Sequence, residues 1–253
     1  MRSTIVSLLV GSACALVPTL GQATNGYFSH GVGMKATGMG GAGIAAPQDA
    51  LSAGSNPAAL GFIGNRVDVG LELFRPERES EIAGNMNAPL NAVYDANDEQ
   101  NFFVPELGFC KDLGGLLSAG IAVYGRGGMN TSYTTPIGLL GTTKAGVDLA
   151  QLFVVPAIAV RLGERNALGI GMNFAYQRFK ATGLENFTAT EPQPYSLHPD
   201  KITNNGYASS TGFGFGVGWM GRPLPRLALG ASYQSKIHAS EFDEYAGLFA
   251  GEG

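Results

Sequence analysis

Apolar residues alternate with small or polar residues along much of this chain. In the sharpest example, residues 211–220 read TGFGFGVGWM, so a strand would present four glycines on one face and three aromatic residues and a valine on the other. A soluble sheet normally turns an apolar face to a core and a polar face to water. A glycine face opposite an aromatic face fits a strand whose aromatic face lies against lipid and whose glycine face lies against a closely packed element. The pattern therefore predicts a strand of a membrane β-barrel.

Other segments carry a similar pattern. In residues 168–177, apolar side chains at even positions oppose small or polar residues at odd positions, whereas residues 152–160 are apolar on both faces. Each segment approaches the roughly 9 to 11 residues that a tilted strand needs to cross a bilayer. We predict seven strands, at residues 67–73, 103–110, 117–124, 152–160, 168–177, 212–220 and 227–234.

The connections between these strands alternate in length. The short ones are residues 111–115, 162–166 and 221–226, and the long ones are residues 75–101, 125–150 and 180–207. Outer-membrane barrels have short periplasmic turns and long extracellular loops, so we expect the first strand to run outward from a periplasmic N-terminus. Single-chain bacterial barrels have even strand numbers, and an open edge in lipid is costly. We therefore expect the seven strands to be part of a longer protein.

Composition agrees with an exported membrane protein. Residues 1–23 contain Arg2, an apolar run and a small-residue end, which predicts a cleaved signal peptide. Only 14% of the residues are charged, and no apolar stretch of about 18 residues follows the signal, so we expect no transmembrane helix. The net charge of -4 without a Lys/Arg cluster argues against nucleic-acid binding. Cys110 and three scattered histidines argue against a metal, a cofactor or a catalytic nucleophile.

Residues 24–65 precede the predicted barrel of residues 66–253 and lack its period of two. Residues 49–53 predict a short helix, and residues 56–58 predict a turn that leads into a second helical turn. We expect a compact glycine-rich plug that packs on glycines of the wall, such as Gly216, where no Cβ holds the backbones apart. The alternative is a flexible periplasmic tail.

The order of these features resembles the FadL family of outer-membrane transporters for long-chain fatty acids and other hydrophobic compounds. The most specific element is the triplet Asn56, Pro57 and Ala58 that follows the glycine-rich part of the plug. Residues 104–106 in the second strand and the break at Tyr124 in the third extend the resemblance. Family members have fourteen strands. The resemblance therefore implies an all-β, antiparallel transmembrane barrel, of which this chain carries a plug of short helices and about seven strands.

The resemblance also implies a route for a hydrophobic ligand that needs no energy source. The ligand would adsorb to outer loops, enter a pocket between plug and wall, and leave sideways into the membrane beside a kinked strand. The kink, or lateral gate, would lie at Tyr124, Gly125, Gly127 and Gly128, because glycines tolerate the backbone angles that interrupt a strand ladder. An ordinary strand end is the alternative.

Apolar and cationic loop residues are the candidates for ligand binding. The apolar adsorption surface would comprise Ile137, Leu139, Leu140, Phe187, Tyr195, Leu197, Tyr245, Leu248 and Phe249. Packing within the loops is the alternative for these residues. A carboxylate headgroup would need a cation, for which Arg126, Lys144 and Lys201 are candidates; the alternative for each is a solvated surface charge.

Several functions stay open at this point. The first is passive transport of long-chain fatty acids, and the second is uptake of aromatic hydrocarbons by the same route. The third is a non-transporting structural or adhesin barrel. An outer-membrane enzyme is a fourth, but the chain lacks a convincing Ser/His/acid set. We expect a monomer surrounded by lipid in the outer membrane of a Gram-negative bacterium.

Overall fold

The computed structural model describes residues 28–192 and 194–249. The predicted signal peptide at residues 1–23 lies outside the described residues, as do residues 24–27 at the start of the predicted plug. Most of the described chain forms antiparallel β-sheet. No helix in this part of the chain is long and apolar enough to cross a membrane.

Ten strands and several single helical turns make up the described chain. The strands are β1 (Arg66–Phe74), β2 (Glu79–Ile82), β3 (Ala92–Asp95), β4 (Phe102–Gly114), β5 (Leu117–Ser132), β6 (Gly146–Leu162), β7 (Asn166–Thr182), β8 (Ala208–Leu224), β9 (Leu227–Gln234) and β10 (His238–Ala239). The α-helices are Met34–Gly38, Leu60–Ile63 and Ala246–Phe249. The 3-10 helices are Ala50–Gly54, Pro57–Ala59, Ala88–Leu90, Glu185–Thr188, Pro199–Lys201 and Asp243–Tyr245.

All seven predicted strands are present, and neighbours in sequence pair with each other. The main sheet runs β1, β4, β5, β6, β7, β8 and then β9 with β10, while β2 and β3 form a separate hairpin in the first long loop. The last predicted strand continues past a bulge, because Gln234 pairs with Gly216 and His238 pairs with Phe213. It therefore extends four to five residues further along β8 than the alternation predicts.

Most strands are longer than predicted. β4 has 13 residues, and β6, β7 and β8 have 17 each. The predicted loop at residues 125–150 is correspondingly wrong, because β5 extends to Ser132 and β6 begins at Gly146. Backbone pairing continues beyond the apolar band, whereas the alternation of apolar and polar side chains marks only that band.

The two faces of the main sheet differ as the alternation predicts. On β7, the side chains of Leu168, Ile170, Met172, Phe174 and Tyr176 are between 42% and 48% exposed. The residues between them face the other side and are largely buried. A row of exposed apolar side chains on a central strand is unfavourable in water and fits contact with lipid.

The main sheet is open at both ends. Within the described residues, β1 pairs only with β4, and β9 and β10 pair only with β8. A closed barrel and its number of strands therefore stay predictions.

Residues 28–65, the N-terminal segment, pack against the inner face of the main sheet. The 3-10 helix Ala50–Gly54 lies mainly against β4 and β5, and Pro57–Ala59 lies against β6, β7 and β8. The helical turns predicted near residues 49–53 and 59–60 are thus confirmed. Leu51 and Leu60 are at most 1% exposed and form a core with inward-facing wall residues. The principal hydrophobic core of the molecule therefore lies between the N-terminal segment and the sheet.

Candidate binding site between the N-terminal segment and the sheet

Asn56 lies at the centre of the contact between the N-terminal segment and the sheet, and none of its surface is exposed. Its Oδ1 accepts a hydrogen bond from the N–H of Ala58 at 3.1 Å and so caps the turn Pro57–Ala59. Its Nδ2 donates to the carbonyl oxygens of Ile44 at 2.8 Å and Trp219 at 3.1 Å. One side chain therefore connects two parts of the N-terminal segment to β8.

Close backbone contact at this point requires glycine in the wall. A Cβ at Gly218 would overlap Oδ1 of Asn56, and a Cβ at Gly169 would overlap the backbone of Pro57. At Gly216, by contrast, the nearest heavy atom would be 3.6 Å from a Cβ, and the three nearest atoms all belong to the wall. The prediction that Gly216 contacts the N-terminal segment is therefore wrong, because the segment meets β8 two residues further along, at Gly218.

Charged groups hold the N-terminal segment on the side of β1 and β4. Nζ of Lys35 lies 3.4 Å from Asp68, which also accepts a hydrogen bond from the N–H of Ala50 at 3.0 Å. The carboxylate of Glu106 accepts the N–H of Met34 at 3.0 Å. These contacts fix the start of the N-terminal segment to the first two wall strands. The N-terminal segment is thus held by charged side chains on the side of β1 and β4 and by close packing on the side of β7 and β8.

The pairing of β5 with β6 is interrupted at the predicted kink. The register shifts between Gly125 and Gly128, and Gly127 has a φ of 90°, a value that favours glycine. The alternative of an ordinary strand end is wrong, because β5 continues to residue 132. Just before this bulge, Tyr124 turns inward and stacks on Phe153 with ring centroids 5.6 Å apart. A role of the bulge as a lateral gate stays a prediction.

The three cationic candidates lie at three different places. The guanidinium of Arg126 lies 5.6 Å from the centroid of the Phe28 ring, and its Nε donates to the carbonyl oxygen of Ser29 at 3.4 Å. Nζ of Lys144 lies 3.0 Å from a carboxylate oxygen of Asp98. Lys201 ends the 3-10 helix Pro199–Lys201 in the third long loop. Two of the three cations are therefore already engaged by other groups.

Two of the apolar candidates are not on the surface. Ile137 is 3% exposed and Tyr245 is fully buried, so the expected exposure of these two residues is wrong. The hydroxyl of Tyr245 donates to the carbonyl oxygen of Gly206 at 2.6 Å, and its ring meets that of Phe179 edge-on with centroids 5.0 Å apart. Tyr245 forms a core with Phe179 and Ala181 of β7 and Ala208 of β8, and Ile137 is buried in the second long loop, so packing, the alternative for these residues, holds for both.

The other apolar candidates are at least partly accessible. Those that are 36% to 72% exposed are Leu139, Phe187, Tyr195, Leu197, Leu248 and Phe249, and Leu140 is half-buried. Nδ2 of Asn186 donates to the carbonyl oxygens of Gly138 at 2.9 Å and Leu139 at 3.1 Å, so the second and third long loops are joined. The loops thus bring apolar residues from distant parts of the sequence to one end of the sheet.

Glu185 strengthens the connection between these loops. Its carboxylate accepts hydrogen bonds from the Thr143 hydroxyl, from Nδ2 of Asn204 at 2.8 Å and from the N–H of Thr142 at 3.1 Å. These bonds, the one from Thr143 foremost, lower the pKa of Glu185 to about 2. The carboxylate is therefore ionised at neutral pH and holds the second loop to the third.

Comparison with known proteins decides the family. The family model described as outer membrane protein transport protein (OMPP1/FadL/TodX) matches residues 15–250. The chain belongs to this family. The predicted resemblance to FadL proteins is thereby confirmed, and the family is one of transport proteins and not of enzymes. A comparison with curated protein sequences gives no match.

This chain of the OMPP1/FadL/TodX family is also similar to solved structures. The toluene transporter TbuX of Ralstonia pickettii is 18% identical, with a TM-score of 0.64 over 83% of this chain and 58% of that one. A FadL homologue of Pseudomonas aeruginosa is also 18% identical, with a TM-score of 0.49 over 81% of this chain and 53% of that one. The likeness to TbuX shows a shared fold. The chain spans between half and two thirds of the length of these two proteins.

Three contacts of this FadL-family interface are absent from the sequence predictions. Gly169 contacts the N-terminal segment, Glu106 binds it, and Nε2 of Gln234 donates to the carbonyl oxygen of Gly54 at 2.5 Å. Each occupies an inward position of an alternating strand, which is the one signal that the sequence offers. Which inward residue meets which part of the segment depends on how the strands are staggered.

Proposed function

We propose that this protein is a passive outer-membrane transporter of long-chain fatty acids or related hydrophobic molecules. In this proposal residues 24–65 form the plug, residues 66–253 form part of the barrel wall, and the full-length protein is a monomer. The observation that supports it is the placement of the N-terminal segment on the inner face of a sheet whose other face is apolar and exposed. Lipid then lies outside the wall, and the segment obstructs its interior.

Ligand entry is assigned to the apolar loop residues at the outer end of the sheet. The rings of Phe187 and Tyr195 lie 5.6 Å apart, and both side chains are exposed. Burial of each CH₂ group stabilises a ligand by about 0.8 kcal/mol, so successive apolar contacts favour movement of a hydrophobic molecule out of water. From the loops the ligand would reach the junction between the N-terminal segment and the inner wall.

Lateral exit is assigned to the bulge in β5. Gly127→Ala should hinder this step, because its φ of 90° disfavours a side chain and a Cβ would overlap Oε1 of Gln151. Gly38→Ala is the control, since Gly38 lies outside the bulge, has no positive φ, and a Cβ there would meet no atom within 4 Å. We expect slower uptake in the first variant only. Equal uptake rates in both variants would argue against the exit at this bulge.

Aromatic hydrocarbons are the second candidate cargo. Arg126 and Lys144, which a carboxylate headgroup would need, are engaged with the N-terminal segment and with Asp98. An uncharged cargo needs no cation, and the engaged cations therefore favour it.

The test of the proposed function is uptake by cells that lack the gene. Deletion should slow uptake of radiolabelled oleate or growth on toluene, and the wild-type gene supplied in trans should restore the affected activity. Oleate and toluene identify which of the two cargo classes is carried. The proposal fails if deletion changes neither activity.

A further inference from the structure

The outward row of side chains on β7 changes from apolar to cationic towards the long loops. After Tyr176, the last exposed apolar residue of this row, the same period of two places Arg178 and Lys180 on the outer face. From Leu168 to Tyr176 the strand rises roughly 27 Å, which for a tilted strand covers most of an apolar band about 25 Å tall. The two cations therefore lie at the edge of this band, at the level of lipid headgroups.

Tyr207 brings the two cations together. This residue directly precedes β8, and half of its surface is exposed. Cζ of Arg178 lies 4.8 Å and Nζ of Lys180 lies 4.7 Å from the centroid of its ring. Each contact is a favourable interaction between a cation and an aromatic ring. Two positive charges held against one ring also repel each other, so an anion that contacts both would stabilise the arrangement.

Asp148 compensates for the charge of Arg178 and not for that of Lys180. Its Oδ2 lies 3.4 Å from Nη2 of Arg178 and accepts a hydrogen bond from the hydroxyl of Tyr207 at 2.6 Å. Asp148 is also the residue of β6 that pairs with Lys180. Nζ of Lys180 nevertheless forms no salt bridge with any carboxylate in residues 28–192 and 194–249, and lies against the Tyr207 ring instead. One positive charge is therefore left without a counter-ion in the described chain.

Glu99 is the next carboxylate along this side of the sheet, and it is engaged further away. It accepts a hydrogen bond from Nδ2 of Asn130 at 3.3 Å, and Nη2 of Arg78 donates to its carbonyl oxygen. Asn130 lies on β5 and pairs with Asp148 on β6, so Glu99 is separated from Lys180 by the width of β6. Glu99 therefore does not supply the missing counter-ion.

Small neighbours leave the cations open to the outside. Arg178 pairs with Ala150 on β6 and with Ser209 on β8, and directly paired residues lie on the same face of a sheet. The side chain of Arg178 is 49% exposed, and Ser209 is exposed as well. A group that approaches the outer face can therefore reach the guanidinium, and the hydroxyl of Ser209 offers a further hydrogen-bond donor beside it.

We propose that Arg178, Lys180, Tyr207 and Ser209, the cationic surface, bind a phosphate group of a lipid in the outer leaflet of the outer membrane. The long loop of residues 183–207 begins at this end of β7, and long loops of outer-membrane barrels face the outside. Arg178 would donate two N–H groups to phosphate oxygens, and Lys180 would act as a point charge.

A lipid is assigned in preference to a free phosphate ion, because the cationic surface continues directly into the exposed apolar row of β7. Acyl chains of the bound lipid would lie along that row while its phosphate meets the cations. The whole chain has a net charge of -4, so an anionic lipid would be attracted by this local surface and not by the chain as a whole. The inference is independent of the transported cargo.

Binding of lipid A, a phosphorylated glycolipid of the outer leaflet, tests the assignment. Radiolabelled lipid A is bound at equilibrium to the purified full-length protein in micelles of a nonionic detergent. Lys180→Gln removes one charge from the cationic surface, and Lys180→Arg retains it. Lys111→Gln is the matched control, because Lys111 is an exposed residue on the outer face of β4 at the short-turn end of the sheet.

The expected result is selective. Lys180→Gln should weaken binding of lipid A about fivefold, whereas Lys180→Arg and Lys111→Gln should bind within about twofold of the wild type. Unchanged binding by Lys180→Gln would overturn the cationic surface. Equal weakening by Lys180→Gln and Lys111→Gln would also overturn it, because the attraction would then be a general effect of charge.

The wild-type protein supplies a check that does not depend on folding of a variant. Lipid A whose phosphates have been removed should bind about tenfold more weakly than intact lipid A, and equal binding would refute phosphate recognition. Millimolar inorganic phosphate at constant ionic strength should leave intact lipid A bound. Its displacement would replace the lipid by a free phosphate ion as the occupant. None of these results depends on cargo uptake, so the proposed transport function is tested separately.

Discussion

The inner wall formed by β7 and β8 has two parts that look alike in sequence and differ in structure. In one part, Gly169 and Gly218 lie directly against the backbone and side chains of the N-terminal segment. In the other, Gly171 pairs with Gly216, and the three atoms nearest to a Cβ at Gly216 all belong to the wall and lie 3.6 Å or more from it. The same alternation of glycine thus permits close contact with the N-terminal segment in one place, whereas in the other an alanine would fit without overlap. The difference arises from how far the N-terminal segment extends along the wall.

The strongest test of this comparison exchanges one glycine at a time. Gly218→Ala should destabilise the protein by about 3 kcal/mol, because the new methyl group would overlap Oδ1 of Asn56. The side chain of Asn56 cannot move away freely, since its hydrogen bonds to Ile44, Ala58 and Trp219 hold it in place. Gly216→Ala should change the free energy of unfolding by less than about 0.5 kcal/mol. Urea unfolding followed by fluorescence of Trp219, the one tryptophan of the chain, measures both. Equal effects of the two substitutions would remove the distinction between the two parts of the wall.

The second test addresses the side chain that connects the N-terminal segment to β8. Asn56→Ala should destabilise the protein by about 2 kcal/mol, because it removes the cap of Pro57–Ala59 and leaves the carbonyl oxygens of Ile44 and Trp219 without a donor. Asn56→Asp retains the capping oxygen and loses both donated bonds. The same unfolding measurement should therefore show a loss of stability in the aspartate variant as well. Wild-type stability of Asn56→Asp would show that the two donated bonds contribute nothing.

The smallest expected effect concerns the outer loops. The folded-state pKa of Glu185 is about 2, below its ordinary value of 4.5, so its contribution to loop stability is present above about pH 4.5 and is lost as the pH falls towards 2. Glu185→Gln lacks this charge at every pH. Because the carboxylate is largely exposed, solvent screens its interactions, and the difference should be small.

Proteolysis of the third long loop measures this difference. Pepsin should cleave residues 183–207 more slowly in the wild type than in Glu185→Gln near pH 5, and the two rates should converge near pH 2. Comparison of the two proteins at each pH cancels the pH dependence of pepsin itself. A ratio of rates that stays constant between pH 5 and pH 2 would contradict a stabilising role of the Glu185 charge.

The predictability of the fold differs between its elements. The seven wall strands are predictable because exposed apolar residues alternate strictly with small or polar residues, as in residues 168–177. The lengths of these strands are not predictable from the sequence, because backbone pairing beyond the apolar band needs no particular side chains. The turns at residues 50–54 and 57–59 are predictable from local chemistry, since Asn followed by Pro caps a helical turn wherever the chain is placed.

The candidate site is less predictable than the fold. The glycines around position 125 are recognisable as a possible interruption of β5, and the register shift lies among them. The exposure of loop residues cannot be recognised from the sequence. Ile137 and Tyr245 are apolar like their exposed neighbours and differ from them only in what packs on them. The hydrogen bond from Gln234 to Gly54 carries no local signal at all. It becomes evident only when both residues have been placed.

By itself the sequence determined which face of each strand is apolar, where the short turns lie and which residues cap the helical turns of the N-terminal segment. These features depend on interactions between residues that are close along the chain. The tertiary structure alone decided that Gly218 rather than Gly216 contacts Asn56, that Arg126 is engaged by the N-terminal segment and that Gln234 donates to Gly54. Such contacts depend on the stagger of strands and on the reach of a segment more than a hundred residues away, which no local pattern encodes.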